Sequence, residues 1–152
     1  SAFLLNRSSD LSFETLHLRM RQHCENAQKV AEWLEKNPKV GWIHYCGLPS
    51  DKYYELGKKY LPNGSCGVIA FGLNGSREEA IKFMDNLDFI SIVTHVADAR
   101  TCVLHPASHT HRQLSEEQLR EAGIAPDLVR LSVGIENADD IIADLEQAMK
   151  KM

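Results

Sequence analysis

The chain has 152 residues, of which 43% are hydrophobic and 25% charged, with a formal net charge of −4. That length suits one domain with a real hydrophobic core, and the balance is that of a globular chain rather than a disordered one. The mild acidity argues against partners recruited by positive charge, so neither nucleic acid nor an acidic membrane surface is expected, and no apolar run reaches the length of a membrane span.

The cysteines at positions 24, 46, 66 and 102 lie far apart and form no Cys-x-x-Cys pair. That spacing predicts free thiols rather than a zinc or redox motif and, with no secretory leader, a cytoplasmic protein. The first residue is Ser1 rather than methionine, as expected of a processed or partial polypeptide.

Residues 1–9 give an apolar patch and then a polar turn. From about 12 to 36, Leu16, Met20, Cys24, Ala27, Ala31 and Leu34 recur every three or four residues, which predicts a long helix with one apolar stripe. Asn37-Pro38 stops it, because proline disfavours helix in the residue before it. Residues 39–45 read as a strand, and residues 51–61 as a short helix closed by Pro62-Asn63-Gly64. Residues 66–73 are nearly all apolar, as in a strand buried on both faces.

Asn74-Gly75 turns the chain, and Ser76 with Glu79 forms a capping box for a helix that points Ala80, Ile81, Phe83, Met84 and Leu87 inward. Residues 89–96 and 101–105 read as two more strands. Ser115 and Gln118 cap a short helix that Gly123 ends. In the stretch of residues 128–136, read as a strand that Gly134 ends, alternation puts Val129, Leu131 and Val133 on one face and Arg130 and Ser132 on the other. Asn137 caps a last helix that turns Ile141, Leu145, Ala148 or Met149, and Met152 inward, with acids at its start and lysines at its end. This order, without internal repeats, predicts an α/β domain (an α+β sandwich) with a small, mainly antiparallel sheet of about four to five strands covered by helices.

Two stretches bear on chemistry. Arg130 stands on a rigid element, and its planar fork suits a carboxylate gripped by two parallel hydrogen bonds; the alternative is an arginine on a solvated sheet face. His105, His109 and His111 fall within seven residues, but no carboxylate or cysteine completes a ligand set and the spacing is not that of a zinc helix, so no metal is expected. The alternative is a loop whose histidines face solvent or cap backbone. Ser108, His111 and Asp98 make a triad on paper without a nucleophile elbow. Read alone, these residues give an anion grip and no self-sufficient catalytic centre.

Several motifs in one order carry a family likeness. They are residues 14–27 (Glu-Thr-Leu-His-Leu-Arg-Met-Arg-Gln-His-Cys-Glu-Asn-Ala), Pro38 to Trp42, Gly47 to Ser50, and residues 53–62 (Tyr-Tyr-Glu-Leu-Gly-Lys-Lys-Tyr-Leu-Pro). His105 to His111 and Pro126 to Glu136 complete the set. Together they resemble the C-terminal domain of O-acetylhomoserine sulfhydrylases, in the Cys/Met-metabolism group of pyridoxal-phosphate enzymes. The likeness runs from about Phe13 to the end, which makes residues 1–12 an N-terminal segment or linker and 13–152 the small domain.

The resemblance implies that Arg130 binds the substrate α-carboxylate and that Thr110 lies beside the substrate. It also implies that pyridoxal phosphate is held by a larger N-terminal domain absent from this chain, so that the chain alone is inactive. The whole enzyme, a homo-oligomer, would convert O-acetylhomoserine and sulfide to homocysteine and acetate. The family usually has Asn-Val-Gly-Asp-Ala where this chain has His95-Val-Ala-Asp-Ala99, which puts His95 near the substrate. Residues 5–12 are also longer than the family link. The other readings are a free-standing amino-acid-binding or regulatory module, and a cystathionine synthase or lyase relative.

Overall fold

The computed structural model describes residues 12–74 and 76–152. The apolar patch of residues 1–9, nearly all of the expected linker and Gly75 of the expected turn lie outside them. The elements are α1 (Leu16–Lys36), β1 (Val40–His44), α2 (Tyr54–Tyr60), β2 (Val68–Leu73), α3 (Arg77–Asp85), β3 (Ser91–Ile92), β4 (Cys102–Leu104), α4 (Glu116–Glu121), β5 (Leu128–Ser132) and α5 (Ala138–Lys150). No helix among the described residues is long and apolar enough to cross a membrane.

One five-stranded sheet runs in the order β1-β2-β5-β4-β3. Its pairings are antiparallel except β3 with β4, which is parallel, so the sheet is mixed but mainly antiparallel. Residues directly opposed in the ladder share a face. Ile69 opposes Leu131, which opposes Val103, and Phe71 opposes Val129. All five are fully buried against Ala27, Val30, Ala31 and Leu34 of α1, Ala80 and Phe83 of α3, and Ile141, Leu145 and Ala148 of α5. The rings of Phe71 and Phe83 meet edge to face at 6.1 Å. The opposite face carries the row His44, Ala70, Arg130 and Leu104.

The local signals behave as expected. Ser76 and Glu79 close a capping box, as do Ser115 and Gln118, and the Asn137 side chain accepts from the Asp139 amide. Gly123 leaves α4 at φ +71, a left-handed conformation that suits glycine.

Three expectations fail. The apolar stripe of α1 is buried only from His23 onward; Leu16 and Met20 are each 37% exposed. A helix of 21 residues is about 30 Å long, so its first turns overhang strands of about 17 Å. Ile81 lies at the edge of α3's buried face and is 36% exposed. The strand expected over residues 89–96 shrinks to Ser91–Ile92. Its upstream amides, those of Asp88, Phe89 and Ile90, are taken by the buried Asp144 carboxylate at 2.8–3.0 Å. Downstream, the chain turns away to meet β5.

Candidate functional site

Arg130 stands at the middle of the sheet, flanked by Ala70 and Leu104, on the face turned away from the helices. Neither neighbour offers charge or a hydrogen bond. One nitrogen of its guanidinium, Nη2, donates to the Thr94 carbonyl at 2.9 Å. Its Nε is buried and has no acceptor among the described residues. No carboxylate there forms a salt bridge with it. A buried donor left without a partner costs about 1–3 kcal/mol, more on a charged group, so this edge of the guanidinium suits an acceptor from outside the described residues.

The turn that faces Arg130 is built by β5 itself. The Ser132 hydroxyl, two residues along the same face and 2% exposed, accepts from the Ala97 amide at 3.0 Å. Ala97 has φ +60, a left-handed conformation unusual for a residue with a Cβ. Beyond the strand, the Ile135 amide donates to the Ala99 carbonyl at 2.9 Å. The Glu136 carboxylate accepts from the Thr101 amide at 2.6 Å and from its hydroxyl at 2.9 Å, and that hydroxyl accepts from the Gly134 amide. A Cβ on Gly134 would come within 2.5 Å of the Ala99 carbonyl and the Thr101 amide, so this approach requires glycine.

The far side of the same stretch is fixed to α1. His23 Nδ1 donates to the Val133 carbonyl at 2.7 Å, and Asn26 donates to the carbonyls of Gly134 and Glu136. On the turn, His95 Nδ1 lies 3.4 Å from Asp98, with its side chain 62% exposed. The Arg100 amide, followed by His95 and the Arg100 guanidinium, holds the Asp98 carboxyl below its ordinary range.

The histidine segment has a different role. His105 is fully buried, and burial pushes its imidazole below the usual histidine range, toward the neutral form. Nε2 donates to the Pro126 carbonyl at 2.7 Å, so Nδ1 is the acceptor, taking the Ser108 hydroxyl proton at 2.7 Å. His109 Nδ1 donates to the His105 carbonyl at 3.1 Å, with Ser108 Oγ 3.0 Å away. Both nitrogens of His105 are thus engaged inside the protein, and no three potential ligands among the described residues are placed for a metal ion.

The paper triad does not assemble either: Ser108 bonds His105, while Asp98 bonds His95 and Arg100. Thr110 is exposed and shares a hydrogen bond with His111; no hydrogen bond among the described residues joins it to Arg130. The fold therefore brings Arg130 and the turn bearing His95 together and leaves Thr110 on a separate loop. Ser132, Ala97 and the Thr94 carbonyl escape a sequence reading, although a serine two residues from the arginine on one strand face is a usable signal. A cavity of about 730 Å3, lined by Arg77, Ala107, Leu119, Arg120, Ile124 and Pro126 among others, does not include Arg130.

The model of one family, the Cys/Met metabolism PLP-dependent enzymes, matches residues 1–150. The chain is 48% identical over 140 residues to an O-acetyl-L-homoserine sulfhydrylase of Leptospira meyeri, covering 91% of this chain and 32% of that protein. It is 47% identical over 137 residues to a homocysteine synthase of Schizosaccharomyces pombe, covering 90% and 32%. A crystal structure of a putative O-acetylhomoserine (thiol)-lyase from Campylobacter jejuni, which contains N'-pyridoxyl-lysine-5'-monophosphate, superposes with a TM-score of 0.83 at 40% identity, again over 90% of this chain and 32% of that one. The chain thus spans about a third of the length of these relatives.

Proposed function

The chain belongs to the Cys/Met metabolism PLP-dependent enzymes, and from that premise we propose that it is the substrate-carboxylate-binding domain of an O-acetylhomoserine sulfhydrylase. The observation that carries this reading is the buried, acceptor-less Nε of Arg130 beside a guanidinium already steadied by the Thr94 carbonyl. An amino acid's α-carboxylate supplies what that edge lacks: two oxygens in the plane of the fork.

Residues 13–152 act as the small domain, and the length that the relatives have beyond this chain supplies the rest of the site, in a homo-oligomeric cytoplasmic enzyme. The substrates are O-acetylhomoserine and sulfide, and the products homocysteine and acetate. Pyridoxal phosphate, held by that further length, supplies the electron sink for chemistry at the substrate Cα. This chain's share is positional. Arg130 pins one end of the substrate, and a substrate fixed at that end presents its Cα bonds in one orientation instead of many. Ala70 and Leu104 keep the flanks of the guanidinium apolar, which strengthens the ion pair by limiting water. His95 and Thr110 lie at the edge of the substrate site. The chain alone turns over nothing.

The test is steady-state kinetics of the full-length protein carrying Arg130→Ala or Arg130→Lys. The KM for O-acetylhomoserine rises steeply in Arg130→Ala and is only partly recovered by lysine, which lacks the fork. An unchanged KM in Arg130→Ala sinks the reading.

A further inference from the structure

We propose that Ser132 is the positioning residue for Arg130: its hydroxyl holds the turn of residues 94–98 in a strained shape, and that turn in turn sets the plane of the guanidinium. The inference rests on the reading that Arg130 grips a substrate carboxylate.

The two side chains leave the same face of β5 and reach the same turn, one rung apart. Arg130 donates to the carbonyl of Thr94 at 2.9 Å, and Ser132 accepts from the amide of Ala97 at 3.0 Å. Between those two anchor points the backbone must reverse, and Ala97 does so at φ +60. An alanine pays for that conformation with Cβ crowding that a glycine would not meet. Something must therefore hold it there, and the contact made to Ala97 itself is the buried Ser132 hydroxyl, while the exposed His95 and the Arg100 amide meet Asp98 next to it. With Ser132 2% exposed, water has no ready access to replace it.

Farther along, the turn is fastened again by Ile135 and Glu136 to Ala99 and Thr101, so its far end is fixed independently of Ser132. Without the hydroxyl, the segment free to relax is the one that contains Thr94 and His95. Relaxation removes the carbonyl that fixes Nη2. The guanidinium then samples several planes, and a carboxylate must first select the right one.

Loss of one such hydrogen bond predicts that Ser132→Ala raises the KM for O-acetylhomoserine about three- to tenfold. The cost falls on selecting the right plane before the carboxylate binds, and the bound substrate is still pinned by the same fork, so kcat and the KM for sulfide stay within a factor of about two. Ser132→Thr, which keeps the hydroxyl on a strand that suits a β-branched residue, restores the KM. A second readout needs no turnover. In 15N spectra of the 152-residue chain, the Arg130 Nε–H resonance, assigned by its loss in Arg130→Lys, shifts or broadens in Ser132→Ala and returns in Ser132→Thr.

An unchanged KM together with an unchanged resonance overturns the proposal, and so does a parallel fall of kcat with both KM values altered. Should Ser132→Ala not fold, Ser132→Cys keeps the volume but offers the Ala97 amide a far weaker acceptor; it moves the KM and the resonance in the same direction, and no movement of either overturns the proposal. If Arg130→Ala leaves the KM unchanged, the carboxylate reading falls by itself, and the resonance alone decides whether Ser132 positions the guanidinium.

Discussion

Asp144 and Arg130 both hold charged atoms away from water, on opposite sides of one sheet, and the protein treats them in opposite ways. The Asp144 carboxylate, 6% exposed, accepts from three consecutive backbone amides at Asp88, Phe89 and Ile90 and from the Gln147 side chain. Arg130 has one carbonyl and a buried nitrogen with no acceptor among the described residues. A saturated buried ion is structural, since every partner it needs is encoded in the fold. An unsaturated one detracts from stability, which accords with the proposed role of Arg130 in taking a carboxylate from outside the domain.

Breaking each ion tests that contrast, and the largest effect falls on binding. Arg130→Ala in the full-length protein raises the KM for the amino-acid substrate about a hundredfold or more, because truncating one partner of a desolvated charge pair costs about 2–5 kcal/mol. Initial rates against O-acetylhomoserine measure it, and a change below threefold would place Arg130 outside the binding site.

Next comes Asp144→Ala, which leaves three amides without their acceptor. Hydrogen bonds to a charged group contribute about 1.5–3 kcal/mol each, and partial relaxation toward water brings the expected loss of stability to about 3 kcal/mol. Urea denaturation of the chain reads this as a lower midpoint at constant slope. Asp144→Asn, which keeps one acceptor, should fall between.

The third effect has the opposite sign. Arg130→Met removes an incompletely paired charge and keeps the stem that packs between Ala70 and Leu104, so stability rises by about 1 kcal/mol. A methionine that destabilises the chain by a similar amount would mean that Arg130 is saturated after all, and the contrast with Asp144 would vanish.

Where a feature was local, its residues announced it. The boxes at Ser76/Glu79 and Ser115/Gln118, the Asn137 cap and the left-handed Gly123 each depend on neighbours within a turn of chain, and so does the alternation that turns Arg130 away from Val129 and Leu131. Features set by partners far along the chain were hidden. Nothing near residue 89 reveals that Asp144 will take its amide and cut a strand short. The glycine that the family pattern has at the position of Ala97 hints at a left-handed residue, but nothing near it reveals that Ser132 will hold it there.

The cysteines teach the same lesson. Separated by twenty residues or more, Cys24, Cys46 and Cys66 are drawn close enough in the fold to influence one another and Tyr45, while burial raises the Cys24 and Cys66 thiols above their ordinary range. The candidate arginine was therefore legible from pattern and family likeness, and the machinery around it was not.

The smallest effect concerns His105, which belongs with Asp144 as a saturated group. Burial holds its folded-state pKa below the unfolded value of about 6.5, since the neutral ring fits the Pro126 carbonyl and the Ser108 hydroxyl while the charged ring would lose an acceptor and gain a desolvation penalty. A depressed pKa means that the unfolded chain binds the proton more readily. The contribution of His105 is therefore complete above about pH 6.5 and is lost as pH falls from there through the folded-state pKa. Asp144 adds a second, lower window. Its burial raises the carboxyl pKa, but the amides of Asp88, Ile90 and Phe89 and the Gln147 side chain outweigh that, so its contribution persists above the unfolded value of about 3.9 and disappears below it. Stability measured by urea titration between pH 7 and pH 5 should decline in the wild type and flatten in His105→Gln, whereas the decline below pH 4 should survive that substitution and flatten in Asp144→Asn. A decline between pH 7 and pH 5 that is unaltered in His105→Gln would mean that another group carries it, and that the buried imidazole is not held neutral by the fold.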